Sequence, residues 1–264
     1  MATSSERKSV GYELIGSYTR YSSWTARVVT LLEYYQISYN AKIYTLAEIK
    51  AKKPTQSGLV PALISPSLPP DTEINDSLAI CEYLAESHPQ LPLWPKDVYL
   101  RALACSATAE MHAGFTAIRD MYHSNFIGKY TGDIPMSDAV RREVERILRL
   151  WGEVRGKTRE SLKVLGQRDE GFFFGEFGIV DSFYWPVLWR FRTYNCPLDT
   201  ATPEALAWMQ KMWNDEKLKL QIADYFKQFE NPETQIEGYE DIFKGNPDVE
   251  YGRFTRDWVF EVPS

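Results

Sequence analysis

The sequence predicts a small α/β domain followed by an all-α domain. Three observations carry this prediction. Strand and helix signals alternate through the first third of the chain, a proline-rich stretch interrupts them, and beyond it helical periodicity dominates while strand signals largely vanish. With 264 residues the chain has room for one or two domains and a sizeable core.

The elements follow in order. Tyr12-Glu13-Leu14-Ile15-Gly16 reads as a short strand. From Thr25 to Tyr35, Val28, Leu31, Leu32 and Tyr35 share one helical face. Ile37 to Ile43 alternates with period two, a strand pattern. Ala47 to Lys53 reads as a short helix stopped by Pro54. Ala62-Leu63-Ile64 and Thr72-Glu73-Ile74 form a hairpin pattern around Pro66–Asp71, and Ser77 to Glu86 is a helix. His88 to Pro95 carries three prolines and reads as a linker. Val98 to about Met121 reads as one long helical run, Ser137 to Leu165 as a second, and Ile179 to Tyr194 as a helix buried on most sides. Thr202-Pro203-Glu204 is a cap followed by proline at the first helical position, and Asn214 to Phe229 reads as the last helix. The tail from Asn231 has little periodicity but carries Tyr239, Phe243, Tyr251, Phe254, Trp258 and Phe260, so it is expected to pack on the helical domain. The expected divisions are 1–88, linker 89–96, helical domain 97–230 and tail 231–264.

Composition narrows the function classes. A net charge of −6 argues against nucleic acid as the main partner. Cys81, Cys105 and Cys196 are widely spaced and odd in number, which fits neither a disulfide framework nor a metal site. The start Ala2-Thr3-Ser4-Ser5-Glu6-Arg7-Lys8 is polar, and no run approaches the roughly 20 apolar residues of a membrane span, so a cytoplasmic protein without a membrane partner is expected.

The most informative segment is Leu59-Val60-Pro61-Ala62-Leu63, followed by Asp76-Ser77 at a helix start. Proline within a strand removes a ladder donor, so the arrangement predicts a cis Val60–Pro61 bond at the strand's entry. The backbone N–H and C=O of Val60 are then free to pair with an extended ligand. Asp76 and Ser77 offer a capped helix N-terminus, where backbone N–H groups receive an anion. Strand pairing beside a carboxylate receptor suits a small peptide.

The domain plan and these motifs resemble the cytosolic glutathione transferases. Val60-Pro61 is similar to their cis-proline loop, and Asp76-Ser77 to the Glu/Gln-Ser pair that holds the γ-glutamyl end of glutathione. Tyr21-Ser22-Ser23-Trp24-Thr25-Ala26-Arg27 resembles the serine-type turn of the zeta class, and more closely a bacterial and fungal branch with Tyr-Ser-Ser-Trp. Glu110 to Phe115 and Gly175 to Asp181 fit the same branch. The resemblance extends to about Phe229. It implies a thioredoxin-like N-terminal domain, glutathione as cosubstrate or recycled nucleophile, and a homodimer. One departure stands out: Gly178 occupies the helix cap where the family usually has Ser or Thr, with Asp181 retained.

The resemblance also implies the site's chemistry. A free thiol has a pKa of about 8.5, and lowering it by about two units takes roughly 2.7 kcal/mol. A helix dipole supplies about 0.3–1 kcal/mol, and a hydrogen bond to a charged group about 1.5–3 kcal/mol, so a hydroxyl is the larger contribution. Ser22 and Ser23 sit where both effects converge, although plain N-capping would also account for them. By analogy with the zeta double serine, Ser22 is the first candidate. The turn lacks the cysteine that disulfide exchange requires. Tyr21 is an alternative hydroxyl donor or a pocket wall. Gln56 and Lys53 precede the Val60-Pro61 loop and are candidates for the glycine carboxylate. His112 is a candidate for the interdomain cleft, and Trp24, Met111, Phe115, Tyr122 and Phe126 for the walls around a second substrate. The implied reaction is addition of the thiol to an electrophilic, conjugated small molecule. Two alternatives stay open: a glutathione-dependent cis–trans isomerase, like those of fungal secondary-metabolite pathways of pseurotin type, and a non-catalytic binding protein on the same fold.

Overall fold

The structure, a computed structural model, describes residues 11–263. The polar start Ala2–Lys8, the first ten residues of the expected 1–88 division and Ser264 lie outside them.

The N-terminal part holds β1 (Tyr12–Ser17), α1 (Ser23–Tyr34), β2 (Tyr39–Tyr44), α2 (Leu46–Lys52), β3 (Ala62–Ile64), β4 (Glu73–Asn75) and α3 (Ser77–Ser87). One mixed sheet has the order β2-β1-β3-β4. β2 runs parallel to β1, while β3 is antiparallel to both β1 and β4. Leu14 and Leu63 are fully buried at the sheet's centre, against Leu31 and Leu32 of α1 and Ile80 and Leu84 of α3. Strand register fixes what comes next. Ile15 pairs with Ala62, and Ala62 with Asn75. The end of β1, the entry to β3 and the end of β4 therefore open on one edge.

The C-terminal part holds α4 (Val98–Ala113), α5 (Thr116–Met121), β5 (Gly128–Gly132), α6 (Asp138–Leu165), α7 (Ile179–Thr193), α8 (Pro203–Asn214), α9 (Glu216–Glu230), a single 3-10 turn (Pro232–Thr234), α10 (Glu237–Glu240) and β6 (Val249–Arg253). α7 is central, buried on nearly every face and wrapped by aromatic side chains. Its Asp181 accepts hydrogen bonds from the backbone N–H groups of Phe173 (2.9 Å) and Gly178 (3.0 Å) and from Trp208 Nε1 (2.8 Å). Burial pushes this carboxyl up to about 6, and the three N–H donors work against that rise. Among the described residues no helix is long and apolar enough to cross a membrane.

Two expectations are corrected. The run from Val98 to Met121 is two helices, because Phe115 adopts φ 53° between them. A Cβ on Gly114 would lie 2.6 Å from the Glu110 carbonyl, so glycine lets the chain leave the helix here. Long-range partners then complete the break. Glu143 of α6 accepts from the N–H groups of Ala117 (3.2 Å) and Ile118 (2.8 Å), while Arg119 donates to the carbonyls of His112 (3.3 Å) and Gly114 (3.0 Å). The helical part is also not free of strands. β5 pairs antiparallel with β6, whose residues lie more than a hundred positions away. Tyr130 of β5 meets Tyr251 and Phe243 of the tail at ring-centroid distances of 5.1 and 5.3 Å, and Trp213 of α8 meets Trp258 at 4.9 Å.

Candidate functional site

The edge defined by strand register gathers three sequence-predicted groups. After β1 the chain turns through Tyr18–Tyr21, and Ser22 caps α1. The backbone N–H of Thr25 donates to Ser22 Oγ (3.3 Å), and Ser22 Oγ lies 3.0 Å from Thr25 Oγ1. Thr25 Oγ1 also accepts from Ser17 N–H at 3.1 Å, which ties the turn to the end of the strand. Ser22 is partly exposed and Ser23 is buried. Ser22 therefore presents the more accessible hydroxyl at the positive end of a twelve-residue helix.

Facing this turn, Val60–Pro61 is cis. Thr55 Oγ1 donates to the Leu59 carbonyl (2.8 Å) and holds the preceding loop. Neither backbone group of Val60 pairs with any described residue. At the third corner Asp76 sits at φ 78°, ψ 136°, a conformation few non-glycine residues adopt. Its Oδ1 accepts from the N–H of Leu78 (2.7 Å), capping α3, while its Oδ2 lies 3.3 Å from His112 Nε2. Ser77 is fully buried, and Arg27 Nη1 donates to its Oγ at 3.5 Å.

The opposite wall comes from α4 and α5. His112 meets the half-buried Trp24 edge to face at 5.5 Å. The guanidinium of Arg27 lies 4.3 Å from the Trp24 ring and that of Arg119 lies 4.8 Å from it. Arg27 is buried, has a partnerless Nε and forms no ion pair among the described residues. Burial, with Arg119 and Arg190 nearby, pushes Arg27 down to about 9. Burial also lowers His112, against the pull of Asp76 and with Arg27 and Arg119 assisting. The corner between α1 and α3 consequently holds cationic charge with little compensation, beside a helix N-terminus.

Several candidates sit elsewhere. Met111, Phe115, Tyr122 and Phe126 are buried in the helical core and do not line the cleft. Tyr122 stacks on Tyr194 at 4.3 Å and donates to the Pro135 carbonyl (2.9 Å), while Phe126 packs among Trp189, Tyr225 and Trp213. Met and aromatic residues at helical spacing are core here for the ordinary reason that they bury the most area. Gln56 is committed to the hairpin: its N–H donates to Glu73 (2.7 Å) and its Nε2 to the Asp71 carbonyl (2.8 Å). Lys53 closes α2 at φ 46° and is exposed. Tyr21 is buried, donates its hydroxyl to Glu240 and accepts from Ile236 N–H (3.3 Å). Burial and the Glu240 contact raise its pKa, so it is neither a free donor nor an open wall.

The tail supplies groups that local sequence reading does not find. Tyr239 lies 6.1 Å from Tyr21 and 4.8 Å, edge to face, from His123. Asn125 Nδ2 donates to the Tyr239 carbonyl at 3.0 Å and fixes this contact. Nothing in the spacing of Tyr239, His123 or Arg119 announces them, because each is placed by a contact between distant segments.

Comparison with known proteins adds an independent line. The glutathione S-transferase N-terminal domain family model matches residues 21–87, and the C-terminal domain model matches 137–211. A maleylacetoacetate isomerase of Dictyostelium discoideum is 36% identical over 132 residues, 48% of this chain and 58% of that protein. Glutathione S-transferase Z1 of Arabidopsis thaliana is 33% identical over 114 residues, 43% of this chain and 50% of that protein. The chain thus spans about half the length of these curated relatives. Among solved structures, a glutathione transferase homologue from Burkholderia with bound glutathione matches with a TM-score of 0.58 at 18% identity, covering 82% of this chain and 99% of that one. At that identity the likeness speaks for the fold.

Proposed function

Since the chain belongs to the glutathione S-transferase superfamily, on its zeta-like side, we propose that it is a glutathione-dependent enzyme whose bound thiol adds to a conjugated, electrophilic small molecule. The observation that carries this reading is the unpaired Val60 backbone, on the same sheet edge as Ser22 and Asp76. In this reading the cysteinyl backbone of glutathione pairs with Val60 as a short strand. Its γ-glutamyl end lies at the N-terminus of α3, where Asp76 meets the amine and the cationic corner around Arg27 favours the carboxylate. Ser22 turns its hydroxyl from Thr25 to the sulfur and stabilises the thiolate. The second substrate lies against Trp24, His112, Arg119 and Tyr239. The same reading includes a homodimer, which sedimentation of the pure chain tests.

The chain should bind immobilised glutathione and elute with the free tripeptide. Failure to bind would leave the fold in place and remove the proposed chemistry.

The named relatives favour a second outcome at the same site. The thiolate adds to an activated C=C bond, the resulting single bond rotates, and elimination returns the thiol and the other geometric isomer. Of the similar proteins, one is described as a maleylacetoacetate isomerase and another, from Caenorhabditis elegans, as a probable maleylacetoacetate isomerase. Incubating the chain with glutathione and a conjugated enone separates the readings. Stoichiometric loss of free thiol marks conjugation. Isomer exchange with constant thiol marks isomerisation, the reaction class shared with fungal secondary-metabolite isomerases.

A further inference from the structure

Away from that cleft, the C-terminal segment closes a cavity of about 710 Å³ against β5, α7 and α8. Neither Ser22, Val60 nor Asp76 lines it. The volume falls within the roughly 300–1,000 Å³ range of small-molecule sites. The walls mix polar and apolar side chains, and the aromatic ones include Trp213 from α8 and Phe254, Trp258 and Phe260 from the tail.

One cation sits among these rings. Arg192 projects from the last turn of α7. Its guanidinium carbon lies 4.2, 4.7, 4.3 and 4.9 Å from the ring centroids of Phe126, Trp213, Phe254 and Trp258. Nη2 donates to the Phe126 carbonyl, while Nε is buried without an acceptor. Nη1 meets no acceptor among the described residues, and the side chain keeps partial access to solvent.

The site's other charges do not neutralise it. Asp257 and Glu261 line the same cavity, yet neither forms an ion pair with Arg192. Asp257 is engaged by the Thr255 hydroxyl, and Glu261 is exposed. Lys129 adds a second cation at the rim, 5.8 Å from the Phe254 ring. Four rings surround the guanidinium but leave it without a counter-ion, and burial pushes it down to about 9. A guanidinium whose Nη1 is unpaired in aromatic surroundings matches a planar anion through a charge-assisted hydrogen bond. The two acidic residues at the rim disfavour a dianion such as phosphate, and flat walls favour a flat ligand.

We propose that this cavity binds a planar aromatic monocarboxylate, with the carboxylate on Arg192 and the ring against Trp258 and Phe260. The site is separate from the thiol cleft and does not depend on its assignment.

Calorimetric titration of the full chain with 2-naphthoate and with its neutral isostere 2-naphthamide tests this, with tryptophan emission from Trp213 and Trp258 as a second signal. Naphthoate is expected to bind about tenfold or more tightly than naphthamide. Arg192→Gln should abolish the difference by weakening naphthoate alone. Trp258→Ala, at a partly exposed position, should weaken both and supplies the test if the arginine variant does not fold. Saturating S-hexylglutathione should leave naphthoate affinity unchanged. Equal affinity for the two probes, no binding of either, or loss of naphthoate binding to S-hexylglutathione overturns the proposal.

Discussion

Tyr21 and Glu240 stand 219 positions apart and share a hydrogen bond that fastens the tail to the turn before α1. Arg20, whose side chain is fully buried, donates to the same carboxylate at 2.9 Å, and the Tyr251 hydroxyl donates to it at 3.0 Å. Glu240→Ala leaves the Arg20 charge buried and unpaired. Removing one partner of such a pair typically costs about 3–5 kcal/mol. A lower urea midpoint with an unchanged slope is the expected result. A midpoint equal to that of the native chain would mean that the Glu240 carboxylate contributes nothing to global stability.

The same carboxylate predicts how acid acts on the tail. Burial opposes its ionisation, but hydrogen bonds from Tyr21 and Arg20 and the Arg20 charge prevail, so its pKa lies below the ordinary carboxylate value. For a depressed carboxyl, the stabilisation is complete above the unfolded pKa and disappears as pH falls through the folded one. Protection of the tail amides Ile236 and Ile242 against hydrogen exchange should therefore fall in acid, before the core amides of α7 lose theirs. Glu240→Gln should remove most of that pH dependence.

His112 and Asp76 predict an NMR titration. Burial lowers the imidazole pKa, Asp76 raises it, and Arg27 and Arg119 lower it, with a net shift below the ordinary value. With its pKa below the ordinary value the imidazole is largely uncharged at neutral pH, so the 3.3 Å contact with Asp76 is not an ion pair there. A histidine with a depressed pKa stabilises the fold most above its unfolded pKa, and that contribution declines as pH drops toward the folded value. Its titration midpoint should lie below the unfolded value of about 6.5. Asp76→Asn should move the midpoint lower still, since the anion that raises it is gone. An upward shift would show that Asp76 is not the group opposing the arginines.

Ser22→Ala removes a cap and, in the proposed chemistry, the thiol's hydroxyl partner. The cap costs about 0.5–2 kcal/mol of stability. Loss of a hydrogen bond to the thiolate, about 1.5–3 kcal/mol, should raise the bound thiol's pKa by roughly 1–2 units. Thiolate absorbance followed against pH reads this directly. Ser23→Ala, at a buried position, should shift the titration less. If Ser22→Ala costs stability without moving the thiol, Ser22 is only a cap.

The local signals in the chain were legible because they have local causes. Val60-Pro61 must enter a strand, Asp76 must cap α3, and Thr202-Pro203 must begin α8 whatever surrounds them. What sequence reading missed depends on distant partners. β5 is a five-residue strand that exists because β6 pairs with it, and the helix break at Phe115 is completed by Glu143. The misplaced cleft walls have the same origin. Met111 and Phe126 have the spacing of any apolar helix face, and only tertiary packing decides whether that face meets a cleft or a core.

Gly178 tests whether a better local cap can lose to packing. Serine at this position would supply the side-chain cap that α7 lacks, worth a few tenths of a kcal/mol over glycine. The Gly178 N–H already donates to Asp181, so half of the reciprocal box is in place. A Cβ at 178, however, would lie 3.0 Å from the Leu93 carbonyl and 3.5 Å from that of Pro92. The linker cannot retreat freely, because the Leu93 carbonyl accepts from Ile179 N–H at 3.1 Å and Leu93 is buried. Overpacking of this kind costs about 1–3 kcal/mol, more than the cap returns. Gly178→Ser should therefore lower the thermal midpoint, and Gly178→Ala, with the same clash and no cap, should lower it further. A stabilised serine variant would mean that the linker yields and that capping governs this end of α7.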